Sequence, residues 1–270
     1  MILRNFKPSH SDNRMKKEGD VINARQDYAS RRSDNLRRLL YLRFHWMNAY
    51  IHPDSIGADI GCGAGFSKEF IRAKKLYLTD FAEHDFLDFK NVDALNLPFA
   101  DSSLDFLIAT NVIHHLPSPM AFFAEARRVL RSGGHLLLFE VQASLLFRFI
   151  LRLMRHEGYS YDVDVFDANA ICTDPVDLWS GNNFIPRLLF DSHQRFLEAV
   201  PGWKILKDEP RECLMFLNSG GVTAKTSYVP LPDFALSIVE SLDSTLAGLA
   251  PNLFALGRAI SLQKIEDSRT

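Results

Sequence analysis

From residue 55 to residue 141 short apolar runs alternate with stretches whose apolar positions fall at helical spacing. A continuous apolar run of strand length reads as a buried strand, and an i, i+3, i+4 rhythm reads as an amphipathic helix. On that basis Ser55 to Ile60 is a strand, Phe66 to Ala73 a helix, and Leu76 to Asp80 a second strand that ends on a carboxylate. Phe89 to Asp93 is a weaker third strand and Leu104 to Ala109 a fourth. Ser118, with Pro119 at the first helical position, starts a helix that runs through Phe122, Phe123, Ala126 and Val129 to a stop at Gly133-Gly134. His135 to Val141 is a fifth strand, apolar enough to be buried on both faces. Alternation of this kind predicts parallel strands joined by right-handed crossovers, hence an α/β, doubly wound, Rossmann-like and mostly parallel sheet.

The flanks extend that pattern. Leu36, Leu39, Leu40, Phe44 and Met47 give a helix from Asp34 onward, ended by His52-Pro53-Asp54 because proline disfavours helical geometry in the residue before it. Residues 1–27 are polar and aperiodic, so an N-terminal arm over 1–33 is expected to be disordered or draped on the surface. Leu145 to Arg155 reads as a helix with Arg148, Arg152 and Arg155 in one basic stripe on an otherwise apolar cylinder. Asn182 to Pro186 opens another helix, Trp203 to Leu206 and Cys213 to Leu217 are strand-like, Pro232 to Leu249 is helical, and Leu253 to Lys264 closes the sheet. The expectation is one domain over 34–270 with a seven-stranded sheet: a core at 55–141, a helical, substrate-selecting lid at 142–200 after the fifth strand, and a sheet-completing part at 201–270 with more helix before the last strand.

Composition changes this picture little. The chain has 270 residues, is 47% hydrophobic and 24% charged, and carries a net charge of −2, as soluble globular proteins do. Its N-terminal 43 residues carry a charge of about +6, a basic arm suited to an anionic substrate or an anionic membrane surface. Cys62, Cys172 and Cys213 have neither disulfide nor metal spacing, which fits a reducing cytoplasm, and no metal is expected. The first residues lack the apolar core of a signal peptide, and no uncharged apolar run reaches the ~20 residues of a membrane span.

Chemistry concentrates at Asp59-Ile60-Gly61-Cys62-Gly63-Ala64-Gly65, where the first strand turns into a helix. Glycines there let the backbone turn tightly and let a ligand approach the amides of a helix start. Asp80, at the tip of the next strand, is placed to accept from both hydroxyls of a ribose. That much also suits NAD(P), but G-x-G-x-x-G requires glycine where Phe66 stands.

The glycine turn, Asp80, the Asp93-Ala94-Leu95-Asn96-Leu97-Pro98-Phe99 stretch and Asn111-Val112-Ile113-His114-His115-Leu116, in that order, resemble the class I S-adenosylmethionine-dependent methyltransferases, in particular the small-molecule branch known as type 11. The resemblance implies S-adenosylmethionine as cofactor, with S-adenosylhomocysteine as product. It implies that Asp59 and the backbone of Gly61, Cys62 and Gly63 hold the methionine end, that Asp80 binds the ribose and that Phe81 stacks beside the adenine. Asp93 would accept from the adenine amino group, the Ala94 amide would donate to the ring, and Asn111 and Val112 would contact the sulfonium side. An NAD(P)-binding oxidoreductase and a non-catalytic S-adenosylmethionine-binding protein are the alternatives.

Methyl transfer to a hydroxyl benefits from a general base. His115 is the first candidate, followed by His114, His156 and Glu157. The material that falls outside the resemblance, with the basic stripe on an apolar helix, points to a small-molecule or lipid-linked sugar acceptor, to O-methylation and to peripheral membrane contact. The order of residues there is similar to bacterial methyltransferases associated with polysaccharide assembly. Nucleic acid is not expected as a partner, since the chain lacks the Asn/Asp-Pro-Pro-aromatic signature of amino-group DNA methylases and a basic channel with interleaved aromatics.

Overall fold

The apolar runs assemble into a sheet whose strand tips gather at one edge. The computed structural model describes residues 5–8, 21–29, 34–155, 157–177, 180–222 and 226–266. Its strands are β1 (Asn5–Phe6), β2 (Ile56–Ile60), β3 (Lys75–Thr79), β4 (Leu104–Thr110), β5 (Leu130–Val141), β6 (Tyr159–Ser160), β7 (Trp203–Arg211) and β8 (Gly257–Lys264). Its α-helices are α1 (Val21–Ala29), α2 (Asp34–Phe44), α3 (Ser67–Phe70), α4 (Pro119–Val129), α5 (Leu145–Met154), α6 (Ile185–Phe190), α7 (His193–Ala199), α8 (Leu214–Leu217), α9 (Asp233–Leu249) and α10 (Pro251–Phe254).

The main sheet has the order β3-β2-β4-β5-β8-β7. β3, β2, β4 and β5 run parallel, while β8 is antiparallel to both β5 and β7. Period-two alternation along β4 sends Leu107 and Ala109 to one face, against Phe122, Phe123 and Ala126 of α4. Phe106 and Ile108 go to the other, against Leu36, Leu39, Leu40 and Phe44 of α2. Helices therefore cover both faces, as a doubly wound α/β fold requires. Gly57 is forced by this packing: a Cβ there would stand 2.5 Å from the Phe106 carbonyl oxygen. A third cluster joins Phe147, Ile150 and Leu151 of α5 to Tyr159, Phe184 and Leu256 at the carboxyl edge.

Several expectations change. The main sheet has six strands among the described residues, because Phe89–Asp93 makes only one bridge, Thr79 to Phe89, before Asn91 turns left-handed at φ 53°. The helix expected over Phe66–Ala73 stops at Phe70: the Asn48 side chain accepts from the Arg72 amide at 2.8 Å and donates to the Phe70 carbonyl at 2.9 Å. Within the expected strand Cys213–Leu217, residues Leu214–Leu217 are helical, since the buried Asp243 carboxylate accepts the amides of Cys213, Leu214 and Met215. The helix after Ser118 ends at Val129, and β5 begins at once at Leu130 instead of after the glycine pair.

Two differences bear on function. The N-terminal arm is not wholly aperiodic, for α1 docks at the glycine turn: Arg25 Nη1 donates to the Ala64 carbonyl at 2.6 Å and the Tyr28 hydroxyl meets Glu69. Two arginines of the basic stripe, Arg148 and Arg152, are half-buried against protein, while Arg155, just past the end of α5, is exposed. Arg152 Nε donates to the Tyr159 hydroxyl at 2.7 Å, the Arg148 guanidinium lies over the Phe184 ring, and Arg155 closes the helix in a left-handed conformation. What α5 exposes is apolar, Phe149 at 64% and Leu153 at 73%. No described helix is long and apolar enough to cross a membrane.

Candidate functional site

β2, β3 and β4 end side by side, and each is followed by a residue that the sequence marks as functional. A cavity of about 770 Å³ opens beyond these tips. Ligands of doubly wound sheets bind in this place, outside the carboxyl ends of the strands.

Gly61, Gly63 and Gly65 all have positive φ, at 63°, 52° and 68°. A Cβ on Gly61 would press on Val112 at 2.8 Å, so this turn and the loop after β4 pack tightly. Gly63 differs, because a Cβ there would meet nothing within 4 Å and would project into open space, as expected of a surface shaped for a ligand. The Cys62 amide donates to the Thr79 carbonyl, and burial next to Asp59 and Asp80 pushes the Cys62 thiol up, so it is no thiolate nucleophile.

Asp59 is 2% exposed. Its Oδ2 accepts from the Ser67 hydroxyl at the start of α3, while its Oδ1 is buried with no hydrogen-bond partner. Burial pushes this carboxyl up to about 7, against the lowering effect of the Ser67 bond and with a smaller push from Asp80. Asp80 accepts the Gly63 amide at 2.8 Å and the Ala82 amide at 2.9 Å, which ties the turn after β2 to the tip of β3. Phe81 is half exposed at the rim. Asp93 is exposed to the cavity and its Oδ1 caps the Leu95 amide, with buried Ala94 between them. Asn111 is left-handed at φ 56°, and its amide donates to the Phe139 carbonyl. Val112 completes this wall. All ten residues expected to hold the cofactor thus line one cavity.

Beside that polar wall stands a buried chain of histidines and carboxylates. Glu140, wholly buried on β5, accepts the amides of Val112 and Ile113 through Oε1, each at 2.7 Å, and holds His114 Nδ1 at 2.6 Å through Oε2. His114 Nε2 lies 3.4 Å from Glu157 Oε2, and His115 Nε2 lies 3.6 Å from Glu157 Oε1. Burial alone would lower the His114 pKa, but the two carboxylates outweigh it and raise it to about 10. Asn183 donates to Glu157 and to the Gly158 carbonyl, and its own Oδ1 is buried without a partner. His114, His115 and Glu157 all line the cavity, whereas His156 lies outside the described residues.

The far part of the same cavity is apolar. Phe147, Ile150, Leu151 and Met154 of α5 line it, together with Leu40 and Phe44 of α2, Val141, Phe216 and Leu256. A buried bidentate pair, Arg43 to Glu212 at 2.6 and 2.8 Å, stands in the wall between α2 and the end of β7. Sequence reasoning missed Glu140, Asn183 as a ligand of Glu157, and this pair. A charged residue inside the apolar run Leu136-Leu137-Leu138-Phe139-Glu140-Val141 was the one signal for Glu140, since an acid in a doubly buried strand needs partners.

Comparison with known proteins agrees with this geometry. The family model described as a methyltransferase domain, type 11, matches residues 58–138. Over 100 residues the chain is 41% identical to the 27-O-demethylrifamycin SV methyltransferase of Amycolatopsis mediterranei, covering 30% of this chain and 36% of that protein. Over 58 residues it is 45% identical to the phthiotriol/phenolphthiotriol dimycocerosates methyltransferase 1 of Mycobacterium ulcerans, covering 22% of this chain and 21% of that protein. These matches span about a third and a fifth of the two relatives. The fold is similar to that of a SAM dependent methyltransferase from Archaeoglobus fulgidus, with a TM-score of 0.52 at 17% identity over 84% of this chain and 94% of that one. Strand order, glycine turn and sequence match converge on residues 58–138, the stretch that is similar to a methyltransferase domain.

Proposed function

We propose that the chain transfers a methyl group from S-adenosylmethionine to an oxygen of an apolar small-molecule or lipid-linked acceptor. The observation that carries this reading is one cavity with two kinds of wall, polar at the strand tips and apolar along α5. Residues at the polar end fit the cofactor. The partnerless Asp59 Oδ1 suits an ammonium group, the open space at Gly63 suits a close-lying ligand, and the carboxylates of Asp80 and Asp93 suit the donors of a ribose and an adenine. Phe81 would cover the adenine, the Ala94 amide would donate to it, and Asn111 and Val112 would face the sulfonium. When bound, the cofactor supplies an electrophilic methyl group on that sulfonium.

The protein's share is alignment, exclusion of water and handling of a proton. The apolar wall would hold the acceptor and keep the site dry. His115, with Glu157 beside it, stands where polar and apolar walls meet, and the pair would take the acceptor's proton. His114 is locked between Glu140 and Glu157, which favours a positioning role for it over that of a free base. Two relatives whose names give 27-O-demethylrifamycin SV and phthiotriol dimycocerosates as substrates support a small-molecule or lipid acceptor over nucleic acid. Outward-facing Phe149 and Leu153 support peripheral membrane contact from the cytoplasm. Isothermal titration with S-adenosylhomocysteine and with NADH tests the cofactor: tight NADH binding with none for the homocysteine product would overturn the reading. Transfer of a tritiated methyl group into fractionated extract then identifies the acceptor.

A further inference from the structure

We propose that His114, His115 and Glu157 are the ligands of a first-row divalent cation, of zinc or manganese type, at the junction of the two walls. One ligand atom from each residue lies within 4.8 Å of the others, and the three are buried or half-buried. Ligands about 2.1 Å from a shared ion stand roughly 3 to 3.5 Å apart. The two imidazole–carboxylate separations, 3.4 and 3.6 Å, are already close to that range.

The surroundings are those of a metal centre. Ligating histidines hand their second ring nitrogen to a carboxylate or carbonyl, which fixes the ring. Glu140 does this for His114, at 2.6 Å on Nδ1, so that Nε2 is the nitrogen turned toward Glu157. Asn183 Nδ2 holds Glu157 Oε2 at 3.1 Å, and the Thr173 hydroxyl bonds the His115 carbonyl at 2.7 Å. Asn183 is wholly buried on the cavity wall and its Oδ1 has no partner, a neutral oxygen available to an ion or its water.

Two histidines and one carboxylate leave coordination positions open, and here they face the cavity. Imidazole ligands favour zinc or iron over calcium, and the Glu157 carboxylate with open positions for water also admits manganese. With the ion in place His115 and Glu157 would serve as its ligands instead of as the base, and an acceptor hydroxyl bound at an open position would be held in place and made more acidic, its proton leaving to water at the cavity mouth. That role rests on the methyl-transfer reading; the site itself does not.

The test uses the full chain, stripped with a chelator and titrated calorimetrically with Zn²⁺ and Mn²⁺, and with Co²⁺ for its visible absorption. One ion per chain is expected, with at least about a hundredfold weaker binding in His115→Ala and in Glu157→Gln. Both variants should still bind S-adenosylhomocysteine, which shows that they are folded. A chain that binds S-adenosylhomocysteine but takes up none of the three ions overturns the proposal, as does ion binding that survives both substitutions. Stoichiometric ion uptake in a chain that does not bind S-adenosylhomocysteine would sustain the metal site and bring down the methyl-transfer reading.

Discussion

The polar and apolar halves of the cavity are built in different ways. The polar half comes from the tips of three neighbouring parallel strands and the turns that follow them, all within residues 59–112. It uses backbone amides and short carboxylates, groups whose positions are fixed by the sheet. The apolar half is assembled from α2, β5, α5, α8 and Leu256, segments spread from residue 40 to residue 256, and consists mainly of apolar side chains, with the paired Arg43 and Glu212 among them. A cradle made of backbone can serve one constant ligand, whereas a wall made of exchangeable side chains can be refitted to a new acceptor without disturbing the cradle.

If that division is real, damage to one half should spare the other. The largest effect is expected from Asp80→Ala, which removes a charged acceptor of two hydrogen bonds, each worth about 1.5–3 kcal/mol. Calorimetry should show S-adenosylhomocysteine binding weakened on the order of a hundredfold, with a cooperative melt retained. Filling the opposite half with Ile150→Trp should lower methyl transfer about tenfold by overpacking the acceptor wall, while the affinity for S-adenosylhomocysteine stays within about twofold. Equal losses of both in either variant would break the comparison.

Asp59 sharpens it through pH. With its carboxyl raised to about 7 in the empty fold, Asp59 holds a proton that the unfolded chain gives up near 4. Its contribution to stability is therefore full in acid and is lost as pH climbs from about 4 to 7. A ligand ammonium pairs only with the carboxylate form. S-adenosylhomocysteine affinity should accordingly rise several-fold from pH 6 to 8 and level off above, with the thermal shift growing over the same window. Asp59→Asn should flatten that profile. The smallest effect is Asn48→Ala, far from both halves, which removes the bonds that stop α3 and should cost about 1 kcal/mol of stability with ligand binding unchanged.

The same contrast explains what was legible in the sequence. Gly61, Asp80, Asp93 and Asn111 follow apolar runs directly, so chain order alone puts them at strand tips, and the structure gathers them. Local rules failed where a distant side chain competes for the backbone: Asn48 cuts α3 short and Asp243 turns Leu214–Leu217 helical, and neither lies within 20 residues of what it changes. The basic stripe on α5 was visible as a pattern, but its direction was set by Tyr159 and Phe184, which a helical wheel cannot supply. His115 and Glu157 are 42 positions apart, and only the fold shows that a second carboxylate, Glu140, reaches the same histidine pair.

Glu140 spends one oxygen on the backbone of the loop after β4 and the other on a histidine. On the proposed methyl-transfer reading, grip on the donor molecule and tuning of the acceptor's reactivity would therefore share a single side chain. Any substitution there should shift cofactor KM and kcat together, and adaptation to a new acceptor is left to the walls around it.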